Sequence, residues 1–469
     1  MQARGTGEIR TAEDMSEQTF KVIIVGAGLV GCVEAIYMAR KGVKVKIFEQ
    51  FEDPRTWSEE RARSINLTMS PRGQLALREI GLEGEVLKDG VLARGRIVHD
   101  GKGNKKHSPY NEKGEGIVSL RRTQLNSLLI NAALRHEGVE IFFQHELTSC
   151  DVNKGRCTFK VTSGGQVQEL ECGADLIIGA DGAHSAVREQ MFKARKLDFF
   201  KQEYHDDGYM ELKVPAGPGQ QYQMEPDMLH IWPRGEFMLI TFPNLDGTFS
   251  GTLFMPFKKF DEVMSDKTVM LDFFNKEFPD LVRMVGEKNL IHHFFEREDR
   301  RPGRLVSNQV KPYHAGEKVL IMGDAAHAMV PFYGQGMNSG FEDCLILDEI
   351  FTRHGFNKEK IGRVLKDFSA ARCDDGHAIS EMAHAHYKEL RSDIAGPVFY
   401  LRKFLDNMLY RVFPNNWVPE YTMVAFTNTS YSKCRQETAR QKFIINMTLG
   451  FFSFCAVLIA LACKAWLWP

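Results

Sequence analysis

Three stretches of the chain are apolar at successive rather than alternate positions: KVIIV (Lys21–Val25), LIIGA within DLIIGADGAHSAVR (Asp175–Arg188), and VLIM at the head of Val319–Cys344. A further strand, Val43–Phe48, is expected after a helical stretch that reaches about Lys41. Continuous runs of this kind predict strands buried on both faces, as in a parallel sheet. LHIWPR (Leu229–Arg234) and FMLITF (residues 237–242), separated by turn residues, predict a second and mainly β unit. HAISEMAHAHYKEL (His377–Leu390) reads as helix.

The ends carry different patterns. FIINMTLGFFSFCAVLIALAC, residues 443–463, holds no charged residue, and as a helix would span roughly 30 Å, a hydrocarbon core. Lys433, Arg435, Arg440 and Lys442 precede it, and Trp466 and Trp468 follow, so a C-terminal transmembrane tail anchor with the bulk facing the cytosol is expected. Residues 1–19 lack the apolar core of a signal peptide and carry Glu8, Glu13, Asp14 and Glu17 against Arg4 and Arg10. That balance is wrong for a mitochondrial presequence, and the segment is expected to be a disordered leader.

Composition narrows the classes. The 469 residues are 43% hydrophobic and 26% charged, enough for two or three structural units with ordinary cores. A net charge of -1 gives no electrostatic footprint for nucleic acid. Nine cysteines, from Cys32 to Cys463 with no CxxC pair, read as reduced thiols rather than a disulfide framework.

The first strand runs into Gly26-Ala27-Gly28-Leu29-Val30-Gly31, and the second strand ends at Glu49, 18 residues beyond Gly31. Gly26 permits a tight turn, Gly28 lets backbone approach a pyrophosphate, and Gly31 lets helix and sheet pack closely. Glu49 can accept from ribose hydroxyls and would repel a 2′-phosphate, so the nucleotide held here is FAD or NAD rather than NADP. Asp181-Gly182 follows the third apolar strand. Gly323-Asp324 follows the last one and leads through the Pro331–Gly336 loop into a helix. Asp324 is placed for the ribityl hydroxyls of FAD, and helix N-terminal amides near Met337 and Asn338 can stabilise negative charge on a reduced flavin.

These three motifs, in this order, resemble the single-component FAD-dependent aromatic hydroxylases, the group typified by para-hydroxybenzoate hydroxylase. Within that family the chain is most similar to the branch that hydroxylates L-kynurenine, over most of residues 20–426. The likeness is carried by RSINLTMS (Arg63–Ser70), YMEL (Tyr209–Leu212), LHIWPR, TLFMPF (Thr252–Phe257), PFYGQGMNSGFEDC (Pro331–Cys344) and YTMVAF (Tyr421–Phe426).

The resemblance implies a Rossmann-like FAD-binding domain, a mainly β substrate domain, and bound FAD with NADPH as hydride donor and dioxygen as co-substrate. It implies that Arg96 holds the substrate carboxylate, a task suited to a bidentate guanidinium. Tyr110 and Tyr421 would contact the amino-acid end. His386 stands where the family usually has asparagine, and would make a single bond where the amide makes two. For FAD it implies Gly26, Gly28, Val30, Gly31, Phe48, Glu49, Gln50, Thr68, Arg122, Leu147, Asp181, Asp324, Met337 and Asn338. No catalytic base is expected, because the flavin carries the chemistry; His327 and Glu342 are explained by capping or packing. His384 and His386 are i and i+2 on a helix and do not share a face, so no metal site is expected.

The expected division is an FAD-binding unit of residues 20–70, 110–195 and 300–365, and a substrate unit of 71–109 and 196–299. A helical segment, 366–442, leads to the anchor at 443–463. The resemblance also favours the outer mitochondrial membrane over the endoplasmic reticulum. Two other readings fit parts of the sequence: a flavin hydroxylase or epoxidase of a lipid-like substrate, and a non-catalytic FAD-binding membrane scaffold.

Overall fold

The continuous apolar runs are the inner strands of one sheet. A computed structural model of the chain describes residues 20–58, 65–111, 114–163, 165–297, 301–393 and 397–467. The sheet has six strands in the order His314–Ala315, Val319–Ile321, Leu176–Gly179, Lys21–Val25, Lys44–Phe48 and Val139–Phe142. All neighbours are parallel except the first pair. Ile24, Ile47, Ile177, Ile178 and Leu320 are fully buried, because helices cover both faces. The Leu29–Ala39 helix returns the chain from the first strand to its neighbour, and the Gly336–His354 helix packs beside it.

The second unit is a seven-stranded sheet in the order Gly303–Lys311, Phe199–Val214, Phe249–Pro256, Met238–Pro243, Met228–Pro233, Gly95–His99 and Lys105–Pro109. It is antiparallel apart from the pairing of Met228–Pro233 with Gly95–His99. One face packs on short helices through Trp232, Phe249, Phe274 and Phe278. The other meets the long Ile361–Lys388 helix and the Pro331–Tyr333 turn through Phe254, Phe332 and Tyr387. A three-stranded antiparallel sheet of His145–Asp151, Arg156–Ser163 and Gln166–Gly173 flanks the six-stranded one.

The C-terminus corrects an expectation. The charge-free run at 443–463 is not a separate element but the distal part of one helix, Tyr431–Leu467. That helix opens with Lys433, Arg435, Glu437, Arg440 and Lys442, and its described side chains beyond them include Asn446 and Thr448. Among the described residues no helix is long and apolar enough to cross a membrane. The expected transmembrane anchor is therefore withdrawn, and the outer-membrane or endoplasmic-reticulum placement that rested on it loses its support. The expected leader, residues 1–19, lies outside the described residues.

One buried side chain between the two packed helices stands apart. Glu34 of Leu29–Ala39 is fully buried, and neither carboxylate oxygen has a hydrogen-bond partner among the described residues. The adjacent Cys344 thiol donates instead to the Gly340 and Val30 carbonyls. Burial pushes the Glu34 carboxyl up to about 8. A group raised in the folded state above its unfolded value of about 4.3 loses stability for the protein as pH rises between the two. Glu34→Gln removes that loss. Its melting temperature should exceed the parent's by about 2–4 °C at pH 8, with the gain vanishing towards pH 5. Thermal unfolding at both pH values checks this, and a pH-independent difference would sink it.

Candidate functional site

The turn after the first strand requires glycine at Gly26 and Gly31. Gly26 has φ +104°, and a Cβ there would lie 2.5 Å from the Ala180 carbonyl oxygen. A Cβ on Gly31 would lie 2.1 Å from the Gly26 carbonyl oxygen, so helix and turn touch backbone to backbone. At Gly28 a Cβ would meet nothing within 4 Å, which leaves that side of the turn open to a ligand. No side chain caps the Leu29–Ala39 helix that starts there, so its first amides are free to meet an anion. Glu49 closes the back of the turn by accepting from the Ala27 and Phe51 amides, 2.9 Å each. Its remaining lone pairs stay available to ribose hydroxyls.

Two carboxylates of the flavin motifs have unspent hydrogen-bonding capacity. Asp181 Oδ2 accepts from the Val187 amide at 3.1 Å, but its buried Oδ1 has no partner among the described residues. Burial raises its carboxyl above the ordinary value. The Asp324 carboxylate makes no hydrogen bond among the described residues and lies across from Gly336. The Gly336–His354 helix also begins without a side-chain cap. Orphaned acceptors, a glycine cradle and two uncapped helix starts form a set that fits a dinucleotide with polyol and pyrophosphate groups.

Other expected flavin contacts fall differently. Val30 wedges against Gly323 and Gly340, where added Cβ atoms would lie 3.0 and 2.5 Å from its Cγ2. Phe48 stacks on Phe142 and Phe159, with centroids 5.1 and 4.1 Å away, and Leu147 is buried opposite Phe159. Both point into the core and offer a ligand only main-chain groups. The Asn338 side chain is spent inside the protein: Nδ2 donates to Thr68 O and Gly334 O, and Oδ1 accepts from the Ser70 amide. Thr68 Oγ1 reaches Gly334 O at 3.3 Å, so strand and loop are tied together. Met337 is buried in the helix's first turn, while Gln50 and Arg122 are exposed.

Arg96, Tyr110, His386 and Tyr421, distant in sequence, converge on one chamber. Arg96 Nη2 is 3.4 Å from His386 Nε2, and its guanidinium lies 5.2 Å from the Tyr110 ring and 4.5 Å from the Tyr421 ring. The two tyrosines stack at 5.2 Å, and the buried Tyr110 hydroxyl lies beside Arg96 and Tyr421 with no well-formed hydrogen bond among the described residues. Burial pushes that phenol well above its usual value, so it stays a neutral donor. Strand pairing explains the convergence, since Arg96 lies directly opposite Ser108, two residues before Tyr110. His386 comes from the last turn of Ile361–Lys388, and Tyr421 from the Glu420–Phe426 helix.

Three further residues complete the chamber. Tyr333, in the glycine loop, stacks on Tyr421 at 5.7 Å and tilts over His386 at 4.5 Å. Its place within PFYG was the available signal. Glu389 lies 3.9 Å from His386 Nδ1, three residues along the same helical face. Burial would raise its carboxyl, but His386 and then Arg96 hold it below the ordinary value. Lys403 donates to Ser108 Oγ at 2.6 Å and Pro109 O at 3.1 Å, and burial, then Arg96 and Lys106, lower it to about 8. No sequence pattern points to Lys403.

A dinucleotide cradle joined through a glycine loop to a cationic aromatic chamber is the framework of a flavin-dependent oxygenase. A family model described as an FAD binding domain matches residues 19–354, so the cradle is that of a flavoprotein and its cofactor is FAD. Kynurenine 3-monooxygenase of Anopheles gambiae is 42% identical over 444 residues, covering 94% of this chain and 89% of that one. The Sus scrofa enzyme of the same name is 38% identical over 436 residues, covering 93% and 90%. The chain belongs to the kynurenine 3-monooxygenase family. The solved structure of 2-methyl-3-hydroxypyridine-5-carboxylic acid oxygenase, 20% identical, shares the fold with a TM-score of 0.65 over 81% of this chain and 95% of that one.

Proposed function

We propose that the chain is an NADPH- and FAD-dependent monooxygenase converting L-kynurenine to 3-hydroxykynurenine in tryptophan catabolism. The observation that carries the substrate assignment is the Arg96 chamber in a chain of this family. Bound FAD, reduced by NADPH, supplies the transfer of one oxygen atom from dioxygen to the aromatic ring. The protein's part is to bind and orient.

Arg96 takes the substrate carboxylate in a two-pronged pair, with the Tyr110 hydroxyl as a neutral donor beside it. The low-lying Glu389 carboxylate is an acceptor for the substrate's α-ammonium group, and His386 positions both charges. Tyr333 and Tyr421 form an aromatic wall that turns the ring towards the glycine loop. Gly26, Gly28, Gly31, Glu49, Asp181 and Asp324 would form the cradle that holds the dinucleotide. Val30, Phe48, Thr68, Leu147 and Asn338 shape its walls or offer main-chain groups, and Gln50, Arg122 and Met337 line its periphery. In this reading residues 20–70, 110–195 and 300–365 serve the flavin, and 71–109 with 196–299 roof the substrate. Residues 366–442 deliver His386 and Tyr421. A lipid-like substrate has no carboxylate for the Arg96 guanidinium to hold.

The test follows NADPH consumption by the purified holoenzyme with and without L-kynurenine, with the product identified by mass. Stimulated oxidation with matching 3-hydroxykynurenine is the expected result. Bound flavin with neither stimulation nor oxygenated product would overturn the substrate assignment.

A further inference from the structure

The three-stranded sheet flanking the flavin unit sets three cysteines in one transverse row. Cys157 is directly opposite Cys172 on one neighbouring strand and Cys150 on the other. Directly opposed residues of antiparallel strands share a face, so the three side chains project the same way. The Cα separation of such partners, about 4.5–5.5 Å, lies inside the roughly 4.4–6.8 Å that a disulfide spans. All three are free thiols; Cys157 is fully buried, Cys150 nearly so, and Cys172 half-exposed. None belongs to the cradle or the substrate chamber. Contact with Cys157 draws the Cys150 thiol below its ordinary value against burial, and the same contact pushes Cys157 up. Cys150 is thereby the better nucleophile of the pair, and Cys157 holds the proton.

We propose that Cys150 and Cys157 form an oxidation site that closes to a disulfide on exposure to hydrogen peroxide. Peroxide arises when a reduced flavin meets dioxygen without oxygenating a substrate, a source that rests on the function proposed above. The Cys150 thiolate attacks one peroxide oxygen, the O–O bond breaks, and water leaves after taking up a proton. The resulting Cys150 sulfenic acid is attacked by the Cys157 sulfur; the S–O bond breaks and a second water leaves with the Cys157 proton. Two thiols are oxidised by two electrons, and one peroxide is reduced to two waters. The row packs beside the Ala186–Lys193 helix, and both thiols feel the charge of Asp181, whose backbone supports Gly26.

Treating the holoenzyme with hydrogen peroxide, without NADPH or kynurenine, tests this. After alkylation under denaturing conditions and digestion, mass spectrometry should find a Cys150–Cys157 linked peptide that dithiothreitol separates. Cys150→Ser should leave Cys157 fully alkylated. If that variant does not fold, Cys172→Ser should fold and retain the link. Full alkylation of Cys150 and Cys157 after a treatment that oxidises exposed methionines would overturn the proposal, as would a bond between Cys157 and Cys172. Peroxide is supplied directly and nothing turns over, so failure here leaves the kynurenine assay untouched, and failure there leaves this result standing.

Discussion

Arg96→Ala should raise the KM for L-kynurenine by roughly 10²–10³-fold while FAD per polypeptide stays unchanged. Truncating one partner of a desolvated, hydrogen-bonded charge pair costs about 2–5 kcal/mol, much of it from the charge left unpaired. The substrate carboxylate would be left unpaired in this chamber, and Glu389 would keep His386 but lose Arg96, which also helps to hold it below its ordinary value. The loss should therefore exceed that of a lone surface contact, which is typically under about 1 kcal/mol. Arg96→Lys keeps the charge but not the planar fork, and should fall between parent and alanine variant. The flavin should stay because Arg96 sits on the Gly95–His99 strand of the seven-stranded sheet, not in the cradle. Steady-state NADPH oxidation, 3-hydroxykynurenine yield and flavin absorbance per polypeptide make the check. A KM within threefold of the parent, or flavin lost in parallel, would remove Arg96 from the substrate's carboxylate.

The flavin unit was legible because its signals are local. A strand buried on both faces must be apolar throughout, and a turn meeting backbone at 2.5 Å must be glycine, so KVIIVGAGLVG states its own structure. The hairpin of Met228–Pro233 and Met238–Pro243 was legible for the same reason. The C-terminal helix misled because absence of charge is a statement about a window. The element that forms begins well before that window and carries five charged residues in its first dozen.

The site divides along the same line. Resemblance drew attention to Arg96, Tyr110, His386 and Tyr421, but no spacing rule could bring together residues supplied by a strand, the end of its neighbour and two helices. The register that puts Arg96 opposite Ser108 is a property of pairing, which sequence does not display. Glu389 was within reach, being i+3 from His386 on a helix, whereas Lys403 arrives on a separate helix and shows itself only in three dimensions. Asn338 and Phe48 make the converse point. Both lie in flavin motifs, yet Phe48 stacks on Phe159 and the Asn338 amide is bonded to Thr68, Gly334 and Ser70.

Arg372→Met should lower unfolding stability by about 3–5 kcal/mol and weaken FAD retention, though Arg372 touches neither cradle nor chamber. This fully buried guanidinium donates to Asp343 Oδ1 and Glu342 Oε2 at 2.7 Å each and to the Ser339 carbonyl at 3.2 Å, with Asp375 at 3.4 Å. Arg72 also pairs with Glu342, and it donates to Thr427 O and Thr429 O and lies over the Tyr431 ring. His327 reaches Asp343 Oδ2 at 2.6 Å, and that same oxygen accepts from the Gly323 amide. One buried network thus clamps the first turns of Gly336–His354 to the Gly323 turn, to the Ile361–Lys388 helix and to the head of the C-terminal helix. Without Arg372 two carboxylates lose their shared cation in a low-dielectric interior. For a chain of 469 residues the loss corresponds to a fall in Tm of about 3–5 °C. Its pH dependence identifies the cause. Burial would raise Asp343, but His327 and Arg372 hold it down at about 2. A depressed acid stabilises the fold above its unfolded value of about 3.9, and that contribution is lost as pH falls towards the folded value. The gap between parent and variant should therefore be level from pH 8 to 5 and narrow below about 4. Urea unfolding across that range, with flavin release followed by fluorescence, makes the measurement. A gap that ignores acid would assign the loss to packing around the missing side chain rather than to the charges it joins.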